Sequence, residues 1–438
     1  MGVVDMLAEL VAVPTVNDPL RGLKVGESQG LKVKDVLSRH GMDANMTLVN
    51  GYPVLLYRYG LGRPVSLFMA HFDVVPPGPG WSGDPFEPRI SEGRLYGRGS
   101  ADDKSNVAAM VYALRDFEPC RGTLIVAFTG DEEIGGSNGA GWLAGELRRE
   151  GLWPDYVVNG DGSFSRVILR RRNVFNVKVR VRSLEYEADG SVSVRRYTGE
   201  SRVWGGMHAA YFAAGVDRHP LIEASLEARV SGFLVAFLRG EWVKSNVVPR
   251  SVEVGYISGD EGRSVYDYGL TMLLYSIVPF TRPHMNVDLY SDYGVTVTPN
   301  VYRFSEGWHE VVLDVRVMTS DPGLVEEAFH RVAEGALGSV EYEVEVSGGG
   351  GYLYTDPGAR LAAEALRINS RLGLPGVGFE AAGASDSRYF SPWGSQAIDY
   401  GPLGGGIHGP DEWVSLAHLE KAVEFYRRLA TSLHGCPG

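Results

Sequence analysis

The chain is poor in cysteine, glutamine and long apolar runs, and each shortage rules something out. Two cysteines in 438 residues, Cys120 and Cys436, cannot build a disulfide framework or a thiolate metal cluster. The longest purely apolar stretch, in the GFLVAFL region, is far too short to span a bilayer. Positive charge is short as well: 42 Lys and Arg stand against 54 Asp and Glu, for a net charge of -12. Nucleic acid and anionic membranes both need positive potential, so neither is an expected partner. The basic residues are nearly all Arg and Gln is scarce, a composition that hints at a thermophilic source. The amino-terminal MGVVDMLAELVAVPTVNDP lacks a basic region and carries Asp5 and Glu9. It does not read as a secretion signal, and a cytoplasmic location is expected.

What is present is ordinary globular material, 44% hydrophobic and 22% charged, in a chain too long for one core. The first part alternates strand and helix. PVLLYRY, VSLFMAHF and TLIVAFTG read as strands. KSNVAAMVYALRDF reads as a helix with Val107, Met110, Val111 and Leu114 on one face, and GAGWLAGELRRE as another. Such alternation predicts a largely parallel α/β sheet. Near Arg170 the texture changes. NVFNVKVRVRS and SVSVRRYT alternate like half-exposed antiparallel strands, and a helix is expected from about Leu221 to Leu238. After SGGGGYLYTDPG (Ser347 to Gly358) the α/β texture resumes. The expected fold is therefore α/β, residues 1–172 and 350–438, interrupted by an inserted α+β domain at 173–349.

Polar groups cluster at the ends of the predicted strands: His71 with Asp73, Asp102 with Asp103, Glu132 with Glu133, and Asp161. Each alone has a bland reading. A His closing a strand is usually structural, and an Asp before a helix can be a cap. Together they would repel one another unless a cation sat among them. Carboxylates with His and no Cys suit zinc, cobalt or manganese. His408, after the late strand SQAIDYG, is the candidate second imidazole. Asp73 lies two residues from His71, on the same side of an extended chain, where it can orient the ring. Glu132 and Glu133 diverge, so one can bind metal and the other serve as general base.

These residues resemble the co-catalytic zinc amidohydrolases and metallopeptidases, a family that includes carboxypeptidase G, acetylornithine deacetylase, succinyl-diaminopimelate desuccinylase, aminoacylase and carnosinase-like dipeptidases. The matching stretches are AHFDVVPPGPGWSGDPFEPRISEGRLYGRGSADDKS, FTGDEEIGGSNG, VVNGDG, GASDSRYF and GGGIHGPDEW. The resemblance implies two zinc ions, replaceable by cobalt or manganese, and a zinc-peptidase-type catalytic domain carrying a lid or dimerisation domain. It implies that His71 and Asp161 hold one ion, that Glu133 and His408 hold the other, and that Asp102 bridges them through a cis peptide to Asp103. Glu132 would be the general base and Asp73 the orienter of His71. In the inserted domain His208 would hold the oxyanion, with Arg316 and an Asn binding substrate. Asn246 and Asn300 both fit, and Asn300 is preferred because it lies closer to Arg316. Ser385, in GASDSRYF, joins the substrate-binding set.

The implied substrate is a small peptide or N-acyl amino acid with a free carboxylate. Asp at position 161, the DDK motif and the long insertion lean towards a dipeptidase or carboxypeptidase, with an N-acyl amino-acid deacylase as the alternative. The insertion leaves two quaternary states open, a homodimer or a monomer whose lid closes its own site. Two other motifs fail on context. Gly135–Gly139 matches G-x-S-x-G, but DEEIG separates its Ser137 from the strand, so no nucleophile elbow forms. Gly404–Gly409 matches G-x-G-x-x-G, but no βαβ unit fits in the chain that remains.

Overall fold

The computed structural model describes residues 2–200, 209, 212, 216–285, 287 and 295–437. The chain divides into two compact units, Met1–Arg171 with Tyr352–Gly438, and Arg172–Gly351.

The first unit is built on a nine-stranded mixed sheet. Its middle is parallel: Val65–His71 lies between Gly122–Thr129 and Tyr156–Asn159, and Gln396–Asp399 pairs alongside the latter. Antiparallel strands Tyr52–Leu61 and Asn45–Val49 extend one side. All residues of Val65–His71 and Gly122–Thr129 are buried, which is why both are spelled as continuous apolar runs. The strand period of two then divides the side chains between two layers. Phe68 and Ala70 enter a core shared with helices Lys104–Leu114 and Leu416–Leu433, while Val65, Leu67 and Met69 face helix Ala140–Arg149. Truncating a fully buried Phe such as Phe68 costs about 3–5 kcal/mol, so this strand is a stiff support. His71 is level with Thr129, and Met69 with Asn159. The carboxyl ends of three parallel strands therefore lie side by side, the usual site location in an open α/β sheet.

Two cysteines cannot make a framework, but they do make one staple. Cys120, just before Gly122–Thr129, is disulfide-bonded to Cys436, just after Leu416–Leu433, with Cα atoms 5.3 Å apart.

The second unit carries a four-stranded antiparallel sheet, in the order Thr296–Ser305, Trp308–Val317, Asn173–Arg182, Tyr342–Gly348. A three-stranded sheet pairs Glu185–Thr198 and Leu234–Gly240 with Ser251–Asp267. Both share one apolar core with helices Pro220–Ser231, Tyr268–Phe280 and Pro322–Leu337. The helix expected to reach Leu238 ends at Ser231. Gly232, at φ 67°, stops it in the left-handed conformation, and Leu234–Gly240 is a strand. Among the described residues no helix is long and apolar enough to cross a membrane.

Candidate active site

His71 is fixed from three directions. Its backbone N–H donates to Asp103 Oδ2 at 3.2 Å. Its Nδ1 lies 3.1 Å from the Asp73 carbonyl oxygen and 3.5 Å from Asp73 Oδ1. Its Nε2 faces Asp102 Oδ1 at 3.0 Å. The other Asp102 oxygen is 3.1 Å from His408 Nε2, which is itself 3.3 Å from Glu133 Oε1. Asp102 thus offers one oxygen to each imidazole. The Asp102–Asp103 peptide is cis.

This arrangement suits metal ions. A neutral His71 that gives its Nδ1–H to Asp73 leaves a lone pair on Nε2. That lone pair faces a carboxylate oxygen, and two acceptors at 3.0 Å need a cation between them, either a proton or a metal. One donor atom each from Asp102, Glu133 and His408 lie within 4.8 Å of one another. Without an ion, protons take up the charge. Contacts with Asp102 and Glu133 push His408 up to about 11. Burial raises Glu133 although His408 opposes it, and burial and Asp161 raise Glu132 well above the carboxylate range. Asp102 moves the other way: burial works against its charge, but the bonds to His408 and His71 outweigh it.

Asp161 follows strand Tyr156–Asn159 and stands outside the Asp102–Glu133–His408 trio. Its carboxylate is 3.4 Å from Arg171, which also bonds the Asp161 carbonyl and the buried carboxylate of Asp399. Burial carries Asp161 up to about 7, with Arg171 pulling against it. No motif marks Arg171 in the sequence. It closes a strand ten residues after Asp161, and only the sheet shows that the two meet.

Asp73 is completely buried, and its carboxylate does more than face His71. Oδ1 accepts the backbone N–H of Glu132 at 3.0 Å, and Oδ2 accepts that of Glu133 at 3.1 Å and the Asn17 amide at 2.7 Å. The expected contact with His71 Nδ1 is the longest of these, and the Asp73 backbone carbonyl comes closer to the ring. Asp73 therefore holds the turn that presents Glu132 and Glu133. Asp103 likewise braces the backbone of His71.

The model of peptidase family M20/M25/M40 matches residues 67–432. The chain belongs to this family. As an M20/M25/M40 peptidase it is a metal-dependent hydrolase. The succinyl-diaminopimelate desuccinylase of Stenotrophomonas maltophilia strain R551-3 is 26% identical over 447 residues, covering 98% of this chain and 99% of the relative. Aminoacylhistidine dipeptidase from Vibrio alginolyticus shares the fold with a TM-score of 0.71 at 15% identity, over 99% of this chain and 96% of that one. An M20-family metallo-carboxypeptidase from Sulfolobus solfataricus does so with a TM-score of 0.60 at 17% identity, over 99% of each chain.

The remaining expected residues of this M20/M25/M40 chain fare unevenly. His208 lies outside the described residues. Asn300 is fully buried and its amide is engaged: Oδ1 faces His219 Nε2 at 3.2 Å, while Nδ2 reaches Thr298 Oγ1 at 3.0 Å and also the Ser245 carbonyl. Asn246 is only half-buried, and its carbonyl accepts the N–H of Ala209, the residue after His208, at 2.9 Å. Arg316 is buried and forked onto Asp314 two residues away, at 2.8 and 3.1 Å. Ser385 is buried, and its Oγ makes no hydrogen bond among the described residues.

Proposed function

We propose that this hydrolase uses two divalent cations, zinc in the first place with cobalt or manganese able to replace it, to cut the amide bond of a small carboxylate-bearing peptide. The observation that carries this reading is the Asp102 carboxylate, with one oxygen on His71 and the other on His408. His71 and Asp161 would hold one ion, Glu133 and His408 the other, and Asp102 both. Bound there, the ions polarise the scissile carbonyl and ease loss of a proton from the attacking water.

The chain's own groups do the rest. Glu132 accepts that proton and delivers it to the leaving amine; burial, with Asp161 beside it, raises its affinity for a proton. Asp73 fixes the turn carrying Glu132, and Arg171 holds Asp161 in place. The second unit is assigned the role of lid or dimerisation domain, with His208 at the oxyanion and Arg316 towards the substrate; Ser385, which belongs to the first unit, joins the substrate-binding set. For the amide-bearing lid residue we favour Asn246 over Asn300. Asn300 would have to break its buried bonds to reach a substrate, whereas Asn246 is tied to the segment that carries His208.

Dipeptidase or carboxypeptidase action is placed first because position 161 is Asp and the inserted domain is long. Full-length similarity to a desuccinylase favours deacylation of N-acyl amino acids as the second reading. The test is a panel of dipeptides against N-acetyl and N-succinyl amino acids, with zinc- or cobalt-loaded protein. Dipeptides should lead in kcat/KM by at least tenfold, and a lead for the N-succinyl substrates would reverse the ranking. Glu132→Gln should abolish turnover on the preferred substrate while metal content stays at two ions. Surviving turnover would remove Glu132 from the mechanism.

A further inference from the structure

Residues 406–412 carry His408 on an unusual backbone. His408 has φ 61° and Asp411 φ 53°, left-handed values in residues that are not glycine, and Gly406 has φ 71°. Such conformations persist where the surroundings over-determine them. The surroundings here are a reciprocal pair. Glu412, on this segment, is completely buried. Its Oε1 accepts the backbone N–H groups of Ala101 at 2.9 Å and Asp102 at 3.0 Å. Its Oε2 accepts that of Gly99 at 3.0 Å and the Arg98 guanidinium at 2.5 Å. Arg98 belongs to the opposite segment, the one that delivers Asp102. With its second arm it reaches back to the carbonyl of Gly409, beside His408, at 3.1 Å. The Glu412 carbonyl completes the tie by accepting the Gly97 N–H at 2.9 Å.

We infer that Glu412, together with Arg98, is a positioning residue of the metal site, setting the separation of Asp102 and His408; this rests on the reading that those two residues bind metal. Each segment holds the other. Glu412 gathers the amides of Gly99, Ala101 and Asp102 itself, and Arg98 pins the residue next to His408. Charge-assisted bonds of this kind are short and directional. On the same segment Asp411 makes a second, exposed tie, its Oδ1 accepting the Ser82 N–H at 3.1 Å and the Ser82 hydroxyl at 2.7 Å, but it is Glu412 and Arg98 that link the segment to the loop that carries Asp102. Glu412 stands four places after His408 in HGPDE, and its role shows only when the partner loop is seen.

The experiment uses the full-length protein and Co2+ or Zn2+ as the probe. Glu412→Gln keeps the volume, but its single acceptor oxygen can serve either the Ala101 and Asp102 amides or the Gly99 amide and Arg98, not both sets. Calorimetric titration with metal should show affinity weakened by about 10- to 100-fold for at least one ion, with altered visible absorption of bound Co2+, and with kcat lowered more than KM. A folded Glu412→Gln protein with unchanged metal affinity, unchanged Co2+ spectrum and unchanged kcat would overturn the inference, even if its melting temperature had dropped. If Glu412→Gln does not fold, Arg98→Lys tests the same tie, because it keeps the buried charge and loses the Gly409 contact; wild-type metal affinity there would likewise overturn it. Asp102→Ala separates the two levels. Intact two-metal binding in Asp102→Ala refutes the site reading itself, whereas lost binding there beside a silent Glu412→Gln refutes only the positioning role.

Discussion

Replacing Asp73 by Asn separates two roles that one buried carboxylate can play. The carboxylate has three close partners, the N–H groups of Glu132 and Glu133 and the Asn17 amide, and a longer approach to His71. Asn has one acceptor oxygen. Its best placement is at the Oδ2 position, where it keeps Glu133 and Asn17. Its NH2 group then points at the Glu132 N–H, donor against donor, at a distance of 3.0 Å in the wild type. Losing one hydrogen bond to a charged acceptor costs about 1.5–3 kcal/mol, and the two retained bonds weaken as the acceptor becomes neutral. The sum is roughly 2–4 kcal/mol. If the turn shifts to relieve it, Glu132 is displaced and kcat/KM falls by about 30- to 1,000-fold, at 1.36 kcal/mol per tenfold. The backbone carbonyl of Asp73 still accepts from His71 Nδ1, so metal affinity should fall by a smaller factor than kcat. Steady-state kinetics on metal-saturated protein, beside calorimetric metal titration, measures both. If metal affinity collapses while the saturated enzyme keeps its kcat, ring orientation is the dominant role and the turn argument is wrong. If both stay within twofold, both roles fail.

Two further outcomes concern stability. His219 is buried in the second unit, and burial depresses its pKa from 6.5 to about 4. The depressed value means that the folded ring stays neutral while the unfolded ring takes a proton. Stability from this group is therefore complete above about pH 6.5 and is lost as pH falls towards 4, by up to about 3 kcal/mol. Urea unfolding from pH 7 to 4.5 should show a shallower acid loss in His219→Gln than in the wild type, and parallel curves would refute the assignment. The Cys120–Cys436 bond spans 316 residues of sequence, and a cross-link closing so long a loop contributes about 3–5 kcal/mol by restricting the unfolded chain. A thiol-free phosphine reductant should lower the melting temperature by several degrees; no shift, with two thiols shown to be released, would refute that contribution.

The sequence marked the strand ends well because a buried parallel strand is a continuous apolar run and the polar residues that close it stand out. His71, Glu132, Glu133 and Asp161 were all legible in that way. Partners far apart in sequence were not. Asp73 meets Glu132 and Glu133 at separations of 59 and 60 residues, and the two-residue spacing to His71 was the nearer and less complete clue. In the second unit, Leu234–Gly240 was misread because a short apolar run after a helix has no period of its own. Helix Tyr268–Phe280 passed unnoticed because it is apolar around most of its circumference, with eight buried residues, and so lacks a polar stripe. The proposed preference for Asn246 over Asn300 rests on burial, which no local spelling reports.

The disulfide has a practical consequence. It joins the carboxyl-terminal segment to the start of strand Gly122–Thr129, and that strand's other end leads to Glu132 and Glu133. One sheet element therefore has a sealed end and a reactive end. An eight-residue strand is roughly 26 Å long, so a fluorophore, purification handle or solid support joined after Cys436 is tethered a full strand length from Glu132 and Glu133. The staple at residue 436 keeps such an attachment from working helix Leu416–Leu433 loose.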